Sequence, residues 1–273
     1  MSADTEKSLA GCKIGVLGKG GAGKSTAVVL LARALVRTGY TVCVVDADST
    51  NVGLNQALGI GQPPTSLIEY FGGMIFGGGL VTCPVDDPTP LPGAELMLQS
   101  MPSDYVAQAE RHLYLLTAGK LAQWGAGGGC DGPISKIARD ISVRVDAEPL
   151  VTLIDFKAGF EDSARGVVTG LDWLIVVVDP TQASLALAFD IEQMVEGVRT
   201  GQLPATRHLE DPDLVALANR LFQEARLQRA LFVLSRIPDE RTESFVKQKL
   251  AAHGIEAIID ELEQVASASG VTS

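Results

Sequence analysis

Cysteine is scarce in this sequence and never paired. The four present, Cys12, Cys43, Cys83 and Cys130, form no CxxC or CxC, so no local dithiol motif exists. Cys12 and Cys43 fall in apolar, strand-like runs and read as small buried hydrophobes. Basic runs are missing as well: 22 Lys and Arg stand against 33 Asp and Glu, for a net charge of -11. A protein that grips the DNA backbone nonspecifically needs a basic face to displace counterions, and an acidic chain adsorbs poorly to anionic lipid. The chain therefore reads as binding neither nucleic acid nor membrane. No stretch approaches the roughly twenty apolar residues of a membrane span. The N-terminus, Ser-Ala-Asp-Thr-Glu-Lys after Met1, lacks the apolar centre of a secretion signal. The expectation is a reduced, cytoplasmic protein. Internal repeats are absent too.

What is present is apolar residues in short, regular runs. They make up 46% of the 273 positions, enough for a sizeable core. Cys12–Leu17, Thr41–Val45, His112–Thr117, Leu150–Ile154, Trp173–Val178 and Arg229–Leu234 have the continuous apolar character of parallel strands covered on both faces. Amphipathic stretches at Lys24–Arg37, Ile134–Ile141, Ala183–Val198, Asp211–Arg226 and Glu243–His253 predict helices between and after them. This alternation predicts a doubly wound α/β fold with a mostly parallel sheet, in one domain over residues 1–273. Gly72–Tyr105 breaks the rhythm; rich in Gly and Pro, it reads as an irregular insertion. Residues 266–273 read as a frayed end.

Gly18-Lys19-Gly20-Gly21-Ala22-Gly23-Lys24-Ser25 matches GxxxxGK[ST], between a predicted strand and a predicted helix. That context predicts a P-loop NTPase. Glycines let backbone N–H groups converge on phosphate oxygens without a Cβ in the way, and the helix N-terminus adds partial positive charge. Gly20, Gly21, Ala22, Gly23, Lys24, Ser25 and Thr26 are the candidate phosphate-binding residues. Lys24 would reach the β- and γ-phosphates, and Ser25 would ligate Mg²⁺. Asp46-Ala47-Asp48 and Leu153-Ile154-Asp155 each close a predicted parallel strand, where ligands bind in open α/β sheets. Asp155 would hold the magnesium shell. A helix cap or Asx turn remains an alternative reading of Asp48.

Lys19-Gly-Gly-x-Gly-Lys-Ser-Thr resembles the deviant phosphate loop of the MinD/ParA/nitrogenase-iron-protein ATPases. By that resemblance Lys19 crosses to the partner's nucleotide in a homodimer, Asp48 orients the attacking water and Asp46 supports the Mg²⁺ shell. The frame Asp155-x-x-Ala158-Gly159-x-Glu161-x-x-x-Arg165-Gly166 resembles switch II of the carbon monoxide dehydrogenase nickel-insertion ATPases. There Gly159 would turn its peptide toward the γ-phosphate. Val-Val-Asp179-Pro-Thr and Leu116-Thr-Ala-Gly-Lys120 extend the likeness, which covers about Lys13 to Ile191.

Three departures bear on function. The nickel-insertion family carries a Cys-x-Cys where this chain has Cys130-Asp131-Gly132, so a dimer would present two thiolates here, and Ni²⁺ or Zn²⁺ at that interface would need further ligands. No cysteine follows Cys130, which removes the ligands for a subunit-bridging iron–sulfur cluster. Ser235-Arg236 stand where the class has an asparagine that reads adenine, so they are the candidate base contacts. The expected function is an ATPase using ATP/ADP and Mg²⁺, slow without its partner. It would act as a nucleotide-switched homodimer on a metalloenzyme client or accessory protein. A MinD/ParA-like regulatory or localisation ATPase with no metal role is the alternative, and Cys130 is the residue that separates the two.

Overall fold

A computed structural model describes residues 9–74, 78–121, 130–146 and 148–258. In chain order the first half holds β1 (Lys13–Gly18), α1 (Lys24–Arg37), β2 (Val42–Ala47), α2 (Leu54–Ala57), α3 (Leu67–Tyr70), β3 (Glu95–Met97), β4 (Ala107–Glu110) and β5 (Leu113–Thr117). Then come α4 (Gly132–Asp140), β6 (Ser142–Val145), β7 (Glu148–Pro149), β8 (Val151–Phe156), α5 (Glu161–Ala164) and β9 (Trp173–Val178). The rest comprises α6 (Gln182–Arg199), α7 (Pro212–Gln223), β10 (Ala230–Leu234), α8 (Glu240–Ala251) and β11 (Ala257–Ile258).

Eight strands form one sheet in the order β11-β10-β9-β1-β8-β2-β5-β4, parallel except for β4, which runs antiparallel to β5 at the edge. The six predicted strands are all in it, and α1 and β9 have the bounds read from sequence. Side chains alternate across the sheet with the period of two that strands impose. Val42 and Val44 of β2 join a core under α1 with Val28, Ala32 and Leu153. Cys43 and Val45 point to the other face and join Ile134, Ile137, Ile154, Leu185 and Ala188. Cys43 is thus the buried hydrophobe expected, its thiol pushed up by burial, whereas Cys12 is half-buried.

The Gly- and Pro-rich segment is less irregular than its composition predicts. It contributes β3, which pairs with β6 in a small sheet of order β3-β6-β7, and two short 3₁₀ turns at Leu98–Ser100 and Ser103–Tyr105. It is also stitched to α4. Lys136 Nζ donates to the Asp87 carbonyl at 3.0 Å and carboxylate at 3.1 Å, Arg139 Nη2 donates to the Pro88 carbonyl at 2.9 Å, and Leu91 N–H donates to Asp140 Oδ2 at 2.8 Å. Side-chain hydrogen bonds from a neighbouring helix supply the order that local periodicity does not show. Residues 266–273 lie outside the described residues.

The C-terminal end of α4 is fixed from below. Lys13, buried in β1, donates to the carbonyls of Arg139 at 2.6 Å and Ile141 at 2.8 Å. A cation there satisfies carbonyls left open at a helix end. Burial lowers Lys13 to about 7, against the pull of Asp140 and Asp172 in the other direction.

Close packing behind the central strand leaves room for no side chain at Gly15. A Cβ there would stand 2.7 Å from both Leu171 Cδ1 and Phe156 Cε2. Overpacking of this kind costs about 1–3 kcal/mol. Gly15→Ala is expected to lower stability by that amount in urea unfolding followed by circular dichroism.

Candidate nucleotide site

The phosphate loop joins β1 to α1 at the carboxyl edge of the sheet, beside the strands β8 and β9 that flank β1. Two of its turns need glycine: Gly21 has φ +79° and Gly23 φ +102°, in the left-handed region that side chains avoid. Gly23 opens α1 with no side-chain cap, and the first turn holds no acidic residue. The N–H groups there are left for an external anion, in the field of the helix dipole. A Cβ on Gly23 would stand 3.0 Å from Ser235 Oγ. Ser235 thus packs against the loop itself, and Arg236 beside it adopts φ +57°.

The carboxylates gather around Ser25. Ser25 Oγ donates to Asp155 Oδ2 at 2.6 Å and accepts from Asn51 Nδ2 at 2.8 Å. Asp155 is fully buried, and among the described residues nothing bonds its Oδ1. Burial raises its carboxyl to about 7, with Asp46 and Asp48 pushing the same way and Ser25 and Lys24 opposing. A hard cation suits this donor set: a hydroxyl and an orphaned carboxylate oxygen, with the Asp46 and Asp48 carboxylates near enough to act on Asp155.

Asp46 is held by a lysine. Its Oδ1 accepts from Lys120 Nζ at 2.7 Å, and the same ammonium donates to the carbonyls of Asp48 and Asn51 at 2.5 Å each. Burial still raises Asp46 to about 6, which Lys120 only partly offsets. Asp48 forms the Asx-type turn held open as an alternative, its Oδ1 accepting from Thr50 N–H at 2.9 Å, Thr50 Oγ1 at 2.7 Å and Asn51 N–H at 3.1 Å. Lys120 and Asn51 are thus site residues that the sequence did not put forward as such. Both lie in loops whose sequences have no fixed spacing to the phosphate loop, and only Lys120 carried a signal, as the end of the Leu116–Lys120 likeness.

Lys19 pairs with a carboxylate of the same chain. Its Nζ meets Asp179 Oδ2 at 3.3 Å, with the lysine side chain 35% exposed. Asp179 stands just past β9. Burial pushes its carboxyl up, but hydrogen bonds from Thr181 and Lys19 outweigh that and hold it below the usual range.

The segment that follows β8, which resembles a switch II, touches the loop directly. Gly159 N–H donates to the Gly18 carbonyl at 3.1 Å, with φ +99° at Gly159. The same segment is tied to the start of α4. Lys157 Nζ donates to Asp131 Oδ2 at 2.6 Å and to Glu161 Oε2 at 3.3 Å, and Ser135 Oγ donates to Asp162 Oδ1 at 2.8 Å. Cys130, next to Asp131, is exposed.

Residues 15–270 match the family model described as the CobQ/CobB/MinD/ParA nucleotide binding domain. The chain belongs to this family. It is 34% identical over 187 residues to an uncharacterised ATP-binding protein of Methanocaldococcus jannaschii, covering 67% of this chain and 73% of that one. It is 31% identical over 194 residues to the carbon monoxide dehydrogenase accessory protein CooC of Rhodospirillum rubrum, covering 69% of this chain and 71% of CooC. The septum site-determining protein MinD of Pyrococcus horikoshii, solved with Mg-ADP, shares the fold with TM-score 0.53 at 16% identity, over 91% of this chain and 79% of that one. As a family member the chain is an ATP-binding protein of the MinD/ParA ATPase type, similar to CooC. Among the described residues no helix is long and apolar enough to cross a membrane.

The buried carboxylate gives a pH test. With its folded value raised above that of the unfolded chain, Asp155 holds a proton that the unfolded chain releases. It therefore costs stability as pH rises from about 4 to about 7. Asp155→Asn has no such proton. In EDTA the melting temperature of the variant should gain on that of the unmodified chain between pH 5 and pH 7.5, and a constant difference would contradict the burial argument.

Proposed function

We propose that the chain is a Mg²⁺-dependent ATPase whose working form is a homodimer switched by nucleotide, acting in the maturation of a metalloenzyme. The observation that carries this reading is the Ser25–Asp155 pair at the uncapped start of α1, with Gly159 of switch II bonded to the same phosphate loop. Lys24, Ser25, Thr26 and the backbone of Gly20 to Gly23 bind the phosphates, and Ser25 and Asp155 hold Mg²⁺. The cation neutralises charge that builds on the phosphate oxygens. Asp48 orients the attacking water through the carboxylate oxygen its own turn does not use. Water adds to the γ-phosphorus, the bond to the β-phosphate oxygen breaks, and ADP and phosphate leave. Gly159 senses the γ-phosphate by giving up its bond to Gly18. Ser235 and Arg236 line the base side.

Lys19 supplies the trans-acting charge. Its contact with Asp179 is the resting position, and its exposure leaves it free to exchange that partner for a phosphate of the other protomer. The likeness to CooC supports an accessory role toward a metalloenzyme, with Cys130 as the residue that meets the metal cargo, Ni²⁺ or Zn²⁺. A regulatory ATPase without metal is the second reading. It is favoured by one fact: Gly132 stands where a Cys-x-Cys would place its second thiol.

Two measurements test the switch. Light scattering should show a dimer with a non-hydrolysable ATP analogue and Mg²⁺, and a monomer with Lys19→Ala under the same conditions. A protein that stays monomeric throughout would sink the proposal. Asp179→Asn, which removes the resting partner of Lys19, should shift the analogue titration toward lower concentration. Lys24→Ala should reduce ATP turnover by about 10²–10³-fold, the range seen when one preorganised charge or donor is lost.

A further inference from the structure

The loop that follows β5 is stitched to the loop that follows β2. Ala118 N–H donates to the Asp46 carbonyl at 2.8 Å, and Leu121 N–H donates to the Ser49 carbonyl at 3.3 Å. Ala118 is held from behind in turn: its carbonyl accepts from Ile68 N–H at 3.2 Å and from Ser66 Oγ at 3.1 Å, at the start of α3. Lys120 stands between these two backbone ties. An ammonium has three N–H donors and no acceptor, and here three acceptors meet it. They are Asp46 Oδ1 at 2.7 Å and the carbonyls of Asp48 and Asn51 at 2.5 Å each. The lysine side chain is 13% exposed and that of Asp46 6%, so little water competes for these bonds.

What Lys120 grips is the backbone of two residues whose side chains serve the nucleotide site. Residues 48–53 belong to no helix or strand, so no ladder of backbone bonds sets their course. Their own side chains close only local turns: Asp48 Oδ1 accepts from the N–H groups of Thr50 and Asn51, and Asn51 Oδ1 accepts from Gly53 N–H at 3.2 Å. The tie to the rest of the fold is Lys120. From Asn51 the path continues inward, because its Nδ2 donates to Ser25 Oγ at 2.8 Å and Ser25 Oγ donates to Asp155. An unbroken run of bonds therefore leads from α3 through Ala118, Lys120 and Asn51 to the hydroxyl that opens α1.

We infer that Lys120 is a positioning residue of the nucleotide site. It fixes the backbone of residues 48–51, and by doing so it sets the place of the Asp48 carboxylate and, through Asn51, of Ser25 Oγ. The inference rests on the Mg²⁺-dependent ATPase reading proposed above and adds to it a group that touches neither phosphate nor metal. Positive charge alone does not meet the requirement. Three acceptors lie around one point, which suits the three diverging donors of an ammonium and not the planar fork of a guanidinium.

Amide hydrogen exchange of the nucleotide-free chain in EDTA reads the positioning without any turnover. Lys120→Met should speed exchange at Thr50, Asn51 and Gly53 by about tenfold, while the amides of β2 keep their protection. Because this variant strands a buried carboxylate, Lys120→Met combined with Asp46→Asn, which lacks that charge, is measured beside it and should show the same exchange. In ATP turnover Lys120→Met should lower kcat by about 10–100-fold and raise the Mg²⁺ concentration for half-maximal rate by about tenfold. The KM for ATP should hardly change, since the phosphate loop and Lys24 are untouched. Lys120→Arg should fall nearly as far; full rescue by arginine would make the role one of charge and overturn positioning. In an Asn51→Ala background Lys120→Met should add little to the Mg²⁺ shift, and a fully additive shift overturns the route through Asn51. An unmutated chain that turns over no ATP defeats the ATPase reading, and the exchange result then decides the role of Lys120. Turnover in the unmutated chain, with kcat and exchange unchanged in Lys120→Met, overturns this inference alone.

Discussion

The nucleotide end of the molecule depends on one unfavourable burial, that of the Asp155 carboxyl. β8 lies between β1 and β2, so its last polar residue is enclosed by Val16 on one side and Asp46 on the other. A charge there without compensation would cost several kcal/mol. The groups around it are arranged as partial answers. Ser25 supplies one hydrogen bond, and Lys120 screens the neighbouring Asp46 while tying down the loop that follows β2. What the protein leaves open, the second oxygen of Asp155, is a place that a divalent cation can complete. On the Mg²⁺ reading proposed above, affinity for metal and instability without it would be two faces of the same arrangement.

Much of this was legible in the sequence, for a definite reason. A strand covered on both faces has to be apolar along most of its length, and, Asp46, Thr152 and Asp155 apart, Val42–Ala47, Val151–Phe156 and Trp173–Val178 are. The phosphate loop was legible because its chemistry fixes residue type and spacing together. Edge and satellite strands were not. Ala107–Glu110 alternates between exposed and half-buried positions and carries no apolar run, and β3, β6 and β7 are only two to four residues long, too short for any period to register. Contacts made between distant loops left no mark either. Nothing near Lys120 announces that it will bond Asp46 and two carbonyls of the loop after β2, and Cys83 reads as a solitary thiol until the fold lays it on Gly132.

Switch II and α4 share a polar seam that runs beside the apolar core. Lys157, Asp131, Ser135 and Asp162 alternate across it, and Asp162 and Ser135 are both almost fully buried. Burial raises the Asp162 carboxyl to about 6, with Ser135 and Arg165 opposing. Such a seam is specific in a way that apolar packing is not, because sliding it by one residue breaks every bond at once. It offers discrete arrangements in place of a continuum, which is what a two-state device needs.

The lysine under α4 has a mechanical meaning. With the carbonyls of Arg139 and Ile141 anchored on Lys13, the helix is hinged at its C-terminal end and gripped by switch II at the other. Nine residues make a rod of about 13 Å. The rod thus ties the first strand of the fold to the segment that follows β8, and its buried length holds the two at a fixed separation.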